Sequence, residues 1–276
     1  MAKKEIFSFW GPVIGALKNK KTALYFGLAF GIIQILISLI LSTHYSSIAM
    51  LAIIILFILY ILLDIMFLGV LVSYIHLLMK KKSYVSLDDE TLNLRDVLSK
   101  GFGAFIVSLI WGILIVAIGG IVIVALFSLL FFILQLLIST PSLLMLSGLS
   151  ALLLIILILM GIGGYYLHFL INAYYSLNFR VSDALKFKEI IRKAFSEKYL
   201  VVVLKSILMG ICIMIVLSPF MMGYSTFEST PYKENFLNNI LNIFLLLISS
   251  IIGVFSSFIF SYYSFEGYER TKSSMS

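Results

Sequence analysis

Asp64 is the residue in this sequence least suited to its surroundings. It sits in an unbroken apolar run, 16 residues from Ile48 and 16 from Lys80. A carboxylate near the middle of a bilayer costs about 2.5–3.5 kcal/mol on insertion scales, so it is expected to face a bundle interior. Two roles follow. One is a proton or cation site. The other, preferred from sequence, is a neutral acid hydrogen-bonded to an adjacent helix, with Tyr60 one turn away as a candidate partner. Lys205 lies seven residues past Lys198, about 10 Å further along a helix. Its ammonium is expected to snorkel back to the headgroups, with pairing to Asp64 as the alternative. Gln34 and Gln135 also fall in apolar runs, where interhelical hydrogen bonds suffice for an amide.

No other constellation carries chemistry. His76 and His168 lack a third ligand nearby and Cys212 is far along the chain, so no metal site is expected. No Ser–His–Asp spacing, HExxH pair, phosphate-cradling glycine loop or EF-hand is present. Gly161, Gly163 and Gly164 are expected to permit close helix contact or a kink, because no basic residue follows at loop spacing. No cofactor is implied, and a catalytic role is not expected. The single cysteine cannot form an intrachain disulfide.

The elements that must position these residues follow from composition. The chain has 276 residues, 62% hydrophobic and 12% charged, with a mean hydropathy of +1.12. Soluble domains carry roughly twice that charge, and a water-soluble globule would have to expose the surplus apolar surface. A cytosolic enzyme, a disordered chain and a disulfide scaffold are therefore excluded. Six apolar runs remain: 23–41, 48–79, 103–138, 143–172, 200–217 and 237–263. Each suits a crossing of about 20 residues, and lipid demands that each be a helix. The fold class is an all-α polytopic transmembrane bundle, a single membrane domain over 1–276.

Charge sets the orientation. Every lysine and arginine except Lys233 falls before the first run, between the second and third, around the fourth-to-fifth connection, or after the sixth. By the positive-inside rule both termini are cytoplasmic, in a multi-pass protein of the cell membrane. Two runs exceed the bilayer: 103–138 carries Gly119-Gly120 near its middle, and 143–172 carries the glycine trio. Splitting both would give eight short spans with the same orientation. Six are preferred, with tilt or a kink absorbing the excess.

Each pair of runs is preceded by an amphipathic pattern. Phe187, Ile190, Ile191, Ala194 and Phe195 follow helical spacing, with Lys186, Lys188, Arg192 and Lys193 on the other face. Ile6, Phe9, Trp10, Val13, Ile14 and Leu17 do likewise, although Gly11-Pro12 should break or start a helix there, and so do Leu94, Val97, Leu98 and Phe102. Such helices lie in the interface. With Lys80, Lys81 and Lys82 they are expected to meet anionic lipid headgroups on the cytoplasmic side, at about 1 kcal/mol per basic residue. The net charge of +7 is thus assigned to membrane lipid rather than nucleic acid. Tyr74-Ile75-His76 echoes Tyr166-Leu167-His168, and Tyr174-Tyr175-Ser176 echoes Tyr262-Tyr263-Ser264. Together these suggest a threefold helix–span–span repeat over 5–79, 91–176 and 183–264.

Gly69-Val70-Leu71-Val72-Ser73-Tyr74, a polar linker, then Leu94-Arg95-Asp96-Val97-Leu98-Ser99-Lys100-Gly101 leading into 104–111 resembles an uncharacterised prokaryotic membrane family, a domain of unknown function. In layout the chain is also similar to membrane domains attached to glycerophosphodiester phosphodiesterases, without their catalytic domain. The resemblance implies a polytopic membrane protein with no assigned chemistry. The first functional expectation is a non-catalytic scaffold, accessory or membrane-organising bundle with unknown protein partners. The second is a small-solute or ion transporter built on Asp64 and glycine-broken spans.

Overall fold

The computed structural model describes residues 9–42, 47–88, 93–137, 143–228 and 236–272. Within them every regular element is helical: α1 (Gly11–Leu17), α2 (Lys20–Ser42), α3 (Ser47–Lys81), α4 (Leu94–Leu137), α5 (Leu143–Asn178), α6 (Val181–Ala184), α7 (Phe187–Ala194), α8 (Glu197–Glu228) and α9 (Phe236–Lys272). Six of these, α2 to α5, α8 and α9, are long and apolar enough to cross a bilayer. Both over-long runs are single helices. α4 passes through Gly119-Gly120 and α5 through the glycine trio without interruption, so the eight-span alternative falls. Flanking leucines and isoleucines hold the backbone helical where water cannot compete for its hydrogen bonds.

α3, α5 and α9 pack against one another as an inner trio. α2 rests mainly on α9, α4 mainly on α3, and α8 mainly on α9. The closest approach is between α3 and α4. A Cβ on Gly69 would come within 2.0 Å of the Val97 carbonyl oxygen, and one on Gly101 within 1.8 Å of the Ile65 carbonyl oxygen. The two backbones therefore touch where each helix lacks a side chain, as small residues allow in membranes. Of the glycines expected to serve this purpose only Gly164 faces a neighbour, a Cβ there lying 3.6 Å from the Ile115 side chain of α4. Nothing lies within 4 Å of a Cβ on Gly161 or Gly163.

Packing is concentrated at the basic end of the bundle. Tyr74, Tyr174, Tyr175, Tyr199, Tyr262 and Tyr263 are all buried there, with Phe169, Phe258 and Phe265 among them. Tyr74 meets Phe258 edge-on at 5.4 Å, and Tyr262 meets Phe265 at 5.6 Å. The opposite half of α3 is different: Ile48, Leu51, Ile54 and Phe57 all stay exposed. Lipid tails solvate such side chains as well as protein does, so the tyrosine-rich half contributes most of the cohesion.

The presumed surface stretches behave unlike one another. The first forms a helix only from Gly11, with Pro12 in its first turn and Trp10, Ile14 and Leu17 outward; Ile6 lies outside the described residues. The middle one, expected as a separate surface helix, is instead the first turns of α4. No breaker stands between Leu98 and the span, and Asp96 pairs with Lys100 at 2.5 Å across that join. The third includes α7, with Ile190 and Ala194 buried but Ile191 and Phe195 exposed. Trp111 of α4 fixes this segment by donating its indole N–H to the Ala184 carbonyl at 2.9 Å. Beyond the fifth apolar run α8 stays helical as far as Glu228, through Pro219; Pro231 and Lys233 lie outside the described residues. Pro219 has no N–H for the Ile215 carbonyl, and the Ser218 hydroxyl donates to that oxygen instead, at 3.0 Å.

The linker after α3 folds back onto the start of α2. Asn19 donates to the Val85 carbonyl at 3.1 Å and accepts from the Leu87 N–H at 2.6 Å. Asp88 accepts from the Lys21 and Thr22 amides at 3.0 and 2.9 Å and from the Thr22 hydroxyl at 2.6 Å, capping α2 from a distant part of the chain. Burial alone would raise the Asp88 pKa, but these hydrogen bonds outweigh it and hold the carboxyl below its ordinary value. A depressed carboxylate contributes stability above its unfolded pKa that is lost as pH falls through the folded one.

Two outcomes follow for thermal unfolding of purified protein in detergent. Gly101→Ala should cost about 1–3 kcal/mol through overpacking, whereas Gly112→Ala, at a site with open space, should be neutral or mildly stabilising. Equal melting temperatures for the two would contradict the α3–α4 contact. Asp88→Ala should cost about 1 kcal/mol at pH 7, and the difference from the parent should shrink progressively as pH falls below the ordinary carboxylate range. A difference that persists at low pH would show that the cap is not the cause.

Candidate functional site

Asp64 stands where two cavities meet. The first, about 300 Å³, lies between α2, α3 and α9 and is walled by Phe30, Gln34, Tyr60, Asp64, Phe67 and a serine-rich stretch of α9. The second, about 490 Å³, lies between α3, α5 and α9 and includes Asp64, Tyr165, His168, Asn172, Ser257, Ser261 and Ser264. Asp64 is exposed to this space, and among the described residues nothing donates a hydrogen bond to its carboxylate. The expectation of an acid clamped to a neighbouring helix is therefore replaced. Tyr60 packs edge-on against Phe30 at 5.2 Å and shares the cavity wall with Asp64. Gln34 accepts from the Ser250 hydroxyl at 3.1 Å, joining α2 to α9. The side chain of Gln135 lies outside the described residues.

The serines in the wall already have uses for their protons. Ser249 donates to the Leu246 carbonyl at 2.9 Å and Ser257 to that of Gly253 at 3.1 Å, while Ser250 donates to Gln34. Their oxygens are left to accept. No lysine or arginine lines either cavity. Together with the Asp64 carboxylate, this makes a wall that favours a cation or a hydrogen-bond donor over an anion. His168 and Asn172, 2.8 Å apart on successive turns of α5, close the basic end of the second cavity. His76 is elsewhere, its Nδ1 2.8 Å from the Ser176 carbonyl oxygen.

Lys205 neither snorkels freely nor reaches Asp64. It pairs with Glu266 of α9 at 2.9 Å, and Arg270 shares the same oxygen at 2.7 Å. Glu266 is fully buried, and its other carboxylate oxygen has no hydrogen-bond partner among the described residues. Sequence reading missed it because its partner lies on another helix, 61 residues away; the one local signal was the Glu266–Arg270 spacing of four.

The expected headgroup contacts divide. Lys188 and Arg192 are exposed on α7, and Lys80, Lys81 and Lys82 are exposed at the end of α3, where Lys82 pairs with Glu269 at 3.6 Å. Lys186 pairs with Asp183 at 2.8 Å; that hydrogen bond raises the Lys186 pKa and lowers the Asp183 pKa. Lys193 is a correction. Only 4% exposed, it lies between the rings of Tyr174 and Tyr268, 4.8 and 4.6 Å from their centroids, and 3.6 Å from Glu189. The face that was to meet lipid headgroups docks on the bundle at this residue, where burial depresses the lysine pKa against the pull of Glu189. The cage offsets that burial with cation–π attraction.

The model of one family, described as a protein of unknown function (DUF4013), matches residues 86–222. That segment runs from the α3–α4 linker to most of α8 and contains Leu94–Gly101 and 104–111 of the resemblance, but not Gly69–Tyr74. No curated protein and no solved structure matches the chain. The fold and the match define a multi-pass helical membrane protein similar to an uncharacterised family.

Removing the Glu266 carboxylate tests the buried ion cluster. Glu266→Ala should destabilise the protein by about 3–5 kcal/mol, because Lys205 and Arg270 lose their shared partner in a low-dielectric site. Replacing Glu266 and Lys205 together, by Leu and Met, should recover a good part of that loss in the same melting assay. Single and double variants of equal stability would argue against the pair.

Proposed function

We propose that this protein passes a small cation or polar solute across the cell membrane through the Asp64 cavities, with both termini in the cytoplasm. One observation carries the reading: an unpartnered carboxylate in mid-span opens into two adjoining cavities walled by hydroxyl and amide groups. Transporters commonly place polar groups of this kind near the midplane at a junction between helix groups. The orientation rests on the basic residues gathered at one end.

A second reading is favoured by a separate observation. Lys188 and Arg192 stand beside the exposed Ile191 and Phe195, an arrangement suited to lying on anionic lipid. A non-catalytic membrane-organising protein would use that surface and leave Asp64 idle.

Proteoliposomes separate the two. Under an imposed potential, uptake of protons, sodium or potassium should fall by about tenfold or more in Asp64→Asn, the loss of one charged contact. The melting temperature should hold, since Asp64 supports no packing. No flux in either form, together with a lower melting temperature for Asp64→Asn, would remove the transport reading.

A further inference from the structure

A third cavity, about 710 Å³, lies between α8 and α9 and is almost wholly apolar, walled by Ile207, Ile211, Met214 and their neighbours. Two glycines open it. A Cβ on Gly210 would meet only the Phe260 ring, at 3.6 Å, and one on Gly253 would meet nothing. The groove follows α8 from Ile207 to Ser218, about 16 Å along the helix. It adjoins the acidic cavity. Tyr165 and Phe260 line both spaces, their rings edge-to-face with centroids 6.4 Å apart. Tyr165 is held in that position by donating to the Ser206 hydroxyl of α8 at 3.1 Å. One side of this aromatic pair thus offers a carboxylate and acceptor oxygens, and the other offers hydrocarbon.

We infer that the adjoining spaces hold a single amphiphile drawn from the bilayer: a long-chain amine, its ammonium at Asp64 and its chain in the α8–α9 groove, passing the Tyr165–Phe260 pair. This rests on the reading of the Asp64 cavities as a ligand site and names the ligand's class. A donating head suits this wall, because Ser249, Ser250 and Ser257 have spent their protons and the carboxylate is unpaired. Ser264 adds a further oxygen. It lines the second cavity, is 1% exposed and has no partner among the described residues. The chain follows from the continuity of the groove with the surrounding lipid and from the absence of polar demand along it. A neutral solute would leave the groove empty, and an anionic detergent would meet Asp64 with like charge.

The full-length protein in nanodiscs tests this with three probes: a twelve-carbon primary amine bearing a terminal diazirine, the four-carbon amine, and the twelve-carbon sulfate. Referred to free amine in water, and with uptake by protein-free nanodiscs subtracted, the long amine should bind about tenfold or more tighter than the short one, from its buried methylenes. Its photolabel should map to residues 207–218 of α8, and Asp64→Asn should weaken both amines. Gly210→Leu, which fills the groove, should bring the long-to-short ratio close to one. Equal affinities, a photolabel elsewhere, or sulfate binding as tight as the long amine would overturn the inference. Asp64-dependent binding that ignores chain length would overturn it too, while leaving the Asp64 reading intact. Binding of neither amine would end both.

Discussion

The bundle coheres through tyrosine. In hydrocarbon, leucine against leucine gains nothing over leucine against a lipid tail. What draws these helices together is the set of rings buried at the basic end, whose edge-to-face contacts and hydroxyl hydrogen bonds lipid cannot imitate. Tyr175 donates to the Lys100 carbonyl of α4 at 2.8 Å, and Tyr174 to Glu189 of α7 at 2.5 Å. The caged Lys193 extends the same chemistry to the surface helix. Close backbone approaches add to it, at Gly69 and Gly101 between α3 and α4 and at Gly27 between α2 and α9.

Ionisable groups fall into two populations around it. Those near the basic end are paired: Glu266 with Lys205 and Arg270, Asp183 with Lys186, Asp96 with Lys100. Asp64, beyond the tyrosines, has no such relation. An exposed carboxylate facing a hydroxyl-lined void costs insertion energy and supplies no cohesion. The proposed ligand site rests on that imbalance rather than on any motif.

Six helices were legible because lipid imposes one strong rule, that every long apolar run becomes a helix. The preference for six over eight was sound because leucine-rich flanks carry α4 and α5 through their glycines. What failed shares one cause. Helical periodicity places a residue on a face but does not say what the face meets. Lys193 lies on the polar side of its stretch and is buried because Tyr174 and Tyr268 stand there. Gly161 and Gly163 looked like contact points, but no neighbour comes near them, whereas Gly69 and Gly101 meet only through the pairing of two helices. Asp64 was recognisable by type and depth. The cavities around it depend on serines of α9 nearly 200 residues away in sequence, which no local pattern joins to it.

Because the rings clamp one end, the other end is free to answer to its surroundings. A change in bilayer thickness would act first on the leucine-faced halves and last on the tyrosines buried at the basic end. The cavities beside Asp64 lie on the side of the bundle that such a change would reach first.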